Sequence, residues 1–142
     1  MRPAQHVLVA ILLVVVVACT SRDPATASAD ALGRGDELMG AQRYPEAARA
    51  YRSAVEANPR DGRARMKLAD AYERAGQFKE AADEAVRAAD LLPGNVEARL
   101  LAARLMLPQG RFVDAEAFTS ALLRDHPNNA EALVLWANAT AR

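Results

Sequence analysis

The side chains that could perform covalent or acid–base chemistry are few and lie far apart in this sequence. The two histidines, His6 and His126, and the single cysteine, Cys19, are separated by many residues. Ser53 and Ser120 have no histidine at a spacing that would activate a hydroxyl. There is no glycine-rich phosphate loop and no group of residues spaced as metal ligands. The sequence therefore predicts no catalytic residue, no metal site and no cofactor, and we do not expect an enzyme.

Cys19 is distinguished by its place at the end of an apolar segment. Arg2 precedes the apolar run at residues 7–17, which is shorter than the ~20 residues needed to span a bilayer and is typical of a secretory signal. Residues 16–19, Val-Val-Ala-Cys, resemble the lipobox of bacterial lipoproteins. This resemblance implies diacylation of the Cys19 thiol, cleavage after Ala18 and acylation of the new amino terminus. The alternatives are an ordinary cleaved signal, which leaves a free thiol, and an uncleaved apolar anchor.

The sequence divides into three predicted segments, the first of which would be removed by this cleavage. We predict a lipoprotein signal peptide at residues 1–18, a flexible tether at 19–28 and a folded domain at 29–142. The lipid on Cys19 would hold the protein on a membrane of the cell envelope without spanning it. Thr20, not an aspartate, follows the cysteine. By resemblance to enterobacterial sorting, this favours the outer membrane, facing the periplasm, in a Gram-negative organism.

The composition restricts the class of partner. Eighteen basic and eighteen acidic residues cancel, and both signs are interspersed along the chain. No basic stripe with interleaved aromatic residues is present, so nucleic acid is not expected as a partner. Hydrophobic residues make up 51% of the chain but aromatic residues only 5%, and many of the others are alanine. This composition favours closely packed helices over a bulky two-layer core.

The residues that would position any binding surface recur at one constant interval. The step from Pro59 to Pro93 equals the step from Pro93 to Pro127. The same period aligns the aromatic residues Tyr44, Phe78 and Phe112, the alanines Ala47, Ala81 and Ala115, and the polar residues Asp61, Asn95 and Asn129. Such a period predicts stacked helix pairs in a solenoid, in place of a single globular core.

Local signals give the bounds of the helices. We predict helices at 29–42, 44–57, 62–75, 78–91, 96–109, 112–125 and 130–141. Gly76 and Gly110 are expected to end first helices with a left-handed residue. Asp61, Asn95 and Asn129 are each expected to cap the helix that follows.

This pattern resembles the tetratricopeptide repeat. The small residue that lets the partner helix approach is matched by Gly35, Ala69, Ala103 and Ala137. A bulky residue in the second helix is matched by Tyr51, whereas Ala85 and Thr119 depart from it. The early tryptophan of the family pattern is also missing.

The resemblance implies an all-α fold, a right-handed α-solenoid of about three helix hairpins. The repeats would span about 28–61, 62–95 and 96–129, followed by a capping helix at 130–141. Trp136 is expected in the core as the large residue that covers the last pair. The alternative is that 130–141 begins a further repeat.

In the resembling family, partners lie in a concave groove lined by the first helices. The corresponding positions here are Leu32, Asp36, Met39, Arg63, Met66, Asp70, Glu73, Arg74, Glu97, Leu100, Arg104 and Leu107. They form an apolar floor edged by charges of both signs, which suits a peptide with apolar anchors. The family's carboxylate clamp needs lysine and asparagine in the groove, but Asp36 and Asp70 stand among these positions, so that mode is not supported.

These observations predict a protein or peptide partner in the groove and no small-molecule substrate. The leading hypothesis is a membrane-anchored scaffold or adaptor that assists assembly of an envelope complex, as resembling lipoproteins do for pili, secretion channels and outer-membrane machinery. The alternative is an accessory subunit that recruits or regulates an envelope enzyme acting on peptidoglycan or exopolysaccharide.

Overall fold

The computed structural model describes residues 23–141, and within this range it contains helices and no strand. The helices are α1 (Pro24–Gly40), α2 (Tyr44–Ala57), α3 (Gly62–Arg74), α4 (Phe78–Leu91), α5 (Val96–Met106), α6 (Phe112–Asp125) and α7 (Ala130–Thr140), with a 3-10 turn at Leu107–Gln109. Each helix packs against the next, and α5 also contacts α7. The predicted all-α solenoid of three helix hairpins is confirmed, with α7 following the third hairpin.

The predicted caps form at the starts of the first helices. Asp61 Oδ1 accepts hydrogen bonds from the N–H groups of Arg63 and Ala64. The side chains of Asn95 and Asn129 each accept one from the backbone N–H three residues later. These bonds satisfy amides that have no partner within their own helix, so each cap fixes the place at which a hairpin begins.

The first helix begins earlier than predicted, and the tether predicted for residues 19–28 is wrong from Pro24 onward. Proline suits the first helical position because its missing N–H would have no intrahelical partner there. The side chain of Asp23 caps the helix by accepting a hydrogen bond from the second helical N–H. Ser28 is buried, and its hydroxyl donates to the carbonyl oxygen of Ala54 in α2. The polar composition of this segment concealed a helix that packs on its neighbour.

The turn within each hairpin uses one left-handed residue. Gly76 and Gly110 have φ values of 76° and 70°, as expected for glycines that end a first helix. Gln42 occupies the equivalent place in the first hairpin with a φ of 59°. The residue after each donates its N–H to a carbonyl five residues earlier. Because this conformation favours glycine, Gln42 is the strained member of the three.

Pro108 ends α5 before the predicted residue 109. Proline has no N–H to donate to the carbonyl of Arg104, so the α-helical ladder cannot continue. The chain forms a 3-10 turn at Leu107–Gln109, and Gln109 Nε2 donates to the carbonyl oxygens of Leu105 and Phe78. The turn is therefore held both to its own helix and to the start of α4.

The contact between first and second helices is closest in the first hairpin. Gly35 faces Tyr51, and a Cβ at Gly35 would lie within 3 Å of three ring carbons of that tyrosine. The equivalent pairs of positions hold Ala69 with Ala85, and Ala103 with Thr119, all of them fully buried. Among these pairs, the smallest residue of the first helices, Gly35, is thus paired with the largest residue of the second helices, Tyr51. This exchange of volume explains why Tyr51 matches the family pattern while Ala85 and Thr119 depart from it.

Helix α7 leaves one apolar side exposed. It buries Ala132, Leu135 and Ala139, whereas Leu133, Val134, Trp136 and Ala137 are exposed. Trp136 was expected in the core, and this expectation is wrong because 40% of the residue is exposed. Its equivalent one repeat earlier, Ala102, is fully buried. Within residues 23–141 no helix comes after α7 to cover the corresponding face.

Candidate functional site

An open cleft of about 950 Å³ lies on the face formed by the first helices of the second and third hairpins and the start of α7. It is lined by Arg63, Met66, Lys67, Asp70, Arg74, Asn95, Val96, Glu97, Leu100, Leu101, Arg104 and Glu131. Because the cleft is open to solvent along the helices, it suits a peptide that lies across it better than a fully enclosed small molecule.

The floor of the cleft is apolar. Met66 and Leu101 are half-buried and pack against the main core, while Leu100 is buried in the second core cluster with Leu135. Val134, the equivalent of Leu100 on α7, is 59% exposed but does not line the cleft. The floor therefore spans the first helices of the second and third hairpins. Apolar side chains that remain partly exposed can gain burial when a ligand covers them.

Two ion pairs link neighbouring first helices across the rim. Lys67 Nζ on α3 donates to both carboxylate oxygens of Asp36 on α1. Arg104 on α5 donates in the same bidentate manner to Glu73 on α3. In each pair the sequence separation of the partners is 31, about one helical turn less than the repeat, and we call this separation the rim offset. Side chains of neighbouring first helices thus meet with a stagger of about one turn relative to the repeat.

Asp36 also accepts a hydrogen bond of 2.6 Å from the buried hydroxyl of Tyr51. The hydrogen bonds from Lys67 and Tyr51 lower the pKa of the Asp36 carboxyl below its usual value. Burial, together with the neighbouring Asp36 carboxylate, raises the pKa of the Tyr51 phenol. Asp36 therefore ties the groove to the hairpin core and is not freely available to a ligand.

A lowered carboxyl pKa gives a stability that depends on pH. Ionised Asp36 contributes stability above its unfolded-state pKa, and this contribution is lost as pH falls through the folded-state pKa. Asp36→Asn should therefore be less stable than the natural protein at pH 7, and the gap between the two should narrow as pH falls below about 4. Urea unfolding of both proteins from pH 7 to pH 3 checks this prediction. Asp90→Asn, at an exposed carboxylate outside the cleft, should give a small difference throughout, and a constant gap for Asp36→Asn would contradict the account.

The structure brings together seven of the twelve residues predicted for the groove. Those lining the cleft are Arg63, Met66, Asp70, Arg74, Glu97, Leu100 and Arg104. Asp36 and Glu73 bind the rim cations just described. Leu32 and Met39 are half-buried against the main core, outside the cleft.

Leu107 is predicted in the groove as part of a continuous helix, but it does not line the cleft. Its backbone keeps helical dihedral angles where the 3-10 turn begins, and its side chain packs against both core clusters.

Five residues of the cleft lining were not predicted. They are Lys67, Asn95, Val96, Leu101 and Glu131. Lys67 meets Asp36 at the rim offset, which is seen only in the structure and differs from the sequence repeat. Glu131 is the equivalent of Glu97 one repeat later, so alignment of α7 with the repeat would have identified it.

Other kinds of site find little support in the part of the chain that the structure describes. Over residues 23–141 there is no group of three or more histidine, cysteine or acidic side chains placed to hold a metal ion. None of the helices in that range has the length and hydropathy needed to cross a bilayer. The predicted signal peptide and Cys19 lie outside the described residues.

The sequence matches known repeats over most of its length. Residues 32–96 and residues 74–135 each match a family model described as tetratricopeptide repeat. Since the two matches together cover residues 32–135, the chain belongs to the tetratricopeptide repeat family, whose domains are protein-interaction modules. A curated relative is Hsp70-Hsp90 organizing protein 1 of Glycine max, which is 30% identical over 112 residues. The match covers 78% of this chain and 19% of the relative, so the chain spans about a fifth of that protein's length.

Solved structures of tetratricopeptide domains share the fold. The TPR domain of Arabidopsis OM64 is 20% identical with a TM-score of 0.70, over 83% of this chain and 98% of that domain. The second TPR domain of human RPAP3, in complex with the HSP70 peptide SGPTIEEVD, is 18% identical with a TM-score of 0.73. The match covers 84% of this chain and 99% of that domain. The TPR2B domain of yeast Sti1, in a complex with an Hsp70 peptide, is 20% identical with a TM-score of 0.69. The match covers 82% of this chain and 98% of that chain.

Proposed function

We propose that this protein is a scaffold that binds a peptide segment of a partner protein in its cleft while a lipid on Cys19 holds it at a membrane of the cell envelope. The observation that carries the binding role is an open cleft whose apolar floor remains partly exposed while most rim cations are paired within the chain. A floor of this kind gains free energy when apolar side chains cover it. The similar domains of RPAP3 and Sti1, whose complexes contain peptides, support this class of ligand.

The membrane role has separate support. It depends on the apolar run at residues 7–17 and on Cys19 directly after Ala18. A protein anchored in this way and carrying a peptide-binding cleft is suited to holding components of an envelope complex together during assembly. Thr20 after the cysteine favours the outer membrane, with the domain facing the periplasm.

Photo-crosslinking in cells tests the binding role. A photoreactive amino acid at Met66 should yield discrete protein adducts that mass spectrometry identifies as one or a few envelope proteins. The same amino acid at Lys79, an exposed position of α4 outside the cleft, serves as the control. Adducts absent from position 66, or identical from both positions, would contradict a partner in the cleft.

Replacing Cys19 by serine tests the anchor independently. Because serine cannot form the thioether to the diacyl group, Cys19→Ser should leave the protein in the soluble fraction after an alkaline carbonate wash. The natural protein should remain with membranes and incorporate radiolabelled palmitate. Thr20→Ala keeps the cysteine and should behave like the natural protein. Absence of palmitate label from the natural protein, together with retention of Cys19→Ser on washed membranes, would refute lipidation as the means of attachment.

A further inference from the structure

The charges of the cleft indicate which peptides it accepts, an inference that rests on the proposed binding role. Three of the four cations lining the cleft already have carboxylate partners in the same chain. The pairs are Lys67 with Asp36, Arg74 with Asp70 and Arg104 with Glu73. An acidic ligand would have to compete with these carboxylates, two of which hold their cation through both oxygens.

The carboxylates available to a ligand are Glu97 and Glu131. Both line the cleft, both are exposed, and neither forms an ion pair with any residue in the range 23–141. They occupy the same position in the first turns of α5 and α7, where the helix dipole favours a negative charge. The equivalent position of α3 holds Arg63, the remaining cation of the lining. The unpaired charge of the cleft is therefore negative over α5 and α7.

Each available carboxylate lines the same cleft as an apolar floor residue from which it is separated by the rim offset. The rim offset, which joins the ion pairs of neighbouring first helices, also relates Met66 to Glu97 and Leu100 to Glu131. All four residues line the same cleft. A ligand side chain that covers Met66 or Leu100 would therefore have a carboxylate beside it.

The ligand's anchors are expected over Met66 and Leu100, which occupy equivalent positions on the neighbouring first helices α3 and α5. An extended peptide advances about 3.1 Å per residue, so a short segment can pass from one of these residues to the other. A helix advances only about 1.5 Å per residue, and short helices are marginal in water, so the extended form is favoured.

We propose that the cleft selects an extended peptide with apolar anchors that cover Met66 and Leu100 and with lysine or arginine beside those anchors. The basic side chains pair with Glu97 and Glu131. Peptides with acidic ends, such as the SGPTIEEVD segment bound by the RPAP3 domain, would be rejected by the same carboxylates.

Selection from a random dodecapeptide display library against the full chain in lipid nanodiscs tests this specificity. The enriched peptides should contain an excess of lysine and arginine beside apolar residues. A representative enriched peptide should bind about tenfold more weakly to the Glu97→Lys, Glu131→Lys double variant, since each exposed ion pair contributes a few-fold. The affinity of the milder Glu97→Gln, Glu131→Gln variant for this peptide should lie between the affinities of the natural protein and the double lysine variant. This variant controls for any structural effect of charge reversal.

The outcomes separate this inference from the proposed function. An acidic consensus, or binding that does not change in either double variant, would overturn the specificity while leaving a peptide-binding cleft. Enriched peptides that bind Met66→Glu as tightly as the natural protein, or no enrichment at all, would overturn the cleft as the binding site and the specificity with it. Enrichment of basic apolar peptides that depend on Glu97, Glu131 and Met66 would support both.

Discussion

Met66→Glu is expected to weaken peptide binding by about tenfold, because it removes apolar area that the ligand would bury and places a charge there. Met66 is half-buried on the cleft floor, so a ligand that covers it would also have to desolvate the new carboxylate. Isothermal titration calorimetry with a display-selected peptide measures the change. The helical circular dichroism signal should remain, because the side chain borders the core from the solvent side.

A matched substitution separates a local effect from a general one. Val113 on α6 is 64% exposed and does not line the cleft, so Val113→Glu makes a similar change of charge and polarity elsewhere. It should leave the affinity unchanged. Equal losses in the two variants would attribute the effect to net charge and not to the cleft. If Met66→Glu loses its helical signal, the uncharged Met66→Gln variant distinguishes a core role from a binding role.

The second large effect is expected at Gly35. Gly35→Ala should destabilise the domain by about 1–2 kcal/mol, because overpacking against the Tyr51 ring outweighs alanine's better helix propensity. The ring cannot easily move away, since Tyr51 is 2% exposed and its hydroxyl is bonded to Asp36. Urea unfolding followed by circular dichroism measures the change in the free energy of unfolding.

Two further variants make this prediction specific. Gly33 lies in the same helix with open space around it, so Gly33→Ala should stabilise by about 0.5–1 kcal/mol. In a Tyr51→Ala background, which reproduces the pairing of Ala69 with Ala85, Gly35→Ala should become neutral or stabilising. A similar loss from Gly35→Ala with and without the tyrosine would contradict the volume exchange between these two positions.

Most of the fold could be predicted from the sequence because its local signals recur with the repeat. Asp61, Asn95 and Asn129 mark the starts of first helices, and Gly76 and Gly110 mark their ends. Each signal acts within a few residues, so a single chain is enough to interpret it. The start of α1 was missed because small polar residues dominate the segment around Asp23 and Pro24, although these two form an ordinary N-terminal cap.

The cleft was less predictable because its properties arise between helices. Alignment by the repeat identifies equivalent positions, but side chains of neighbouring first helices meet at the shorter rim offset. The pairing of Asp36 with Lys67 and of Glu73 with Arg104 depends on this stagger, which has no local sequence signal. For the same reason, the exposure of Trp136 depends on which helix covers α7 and not on the tryptophan itself.

The most direct test of the central claim is to locate the bound peptide by NMR. In ¹⁵N-labelled protein titrated with a display-selected peptide, the largest amide shifts should fall within residues 63–74 and 95–104, with smaller changes at the start of α7. Amides on the outer faces of α2, α4 and α6 should change little. Shifts confined to those outer faces, with none along α3 and α5, would contradict a binding site in the cleft.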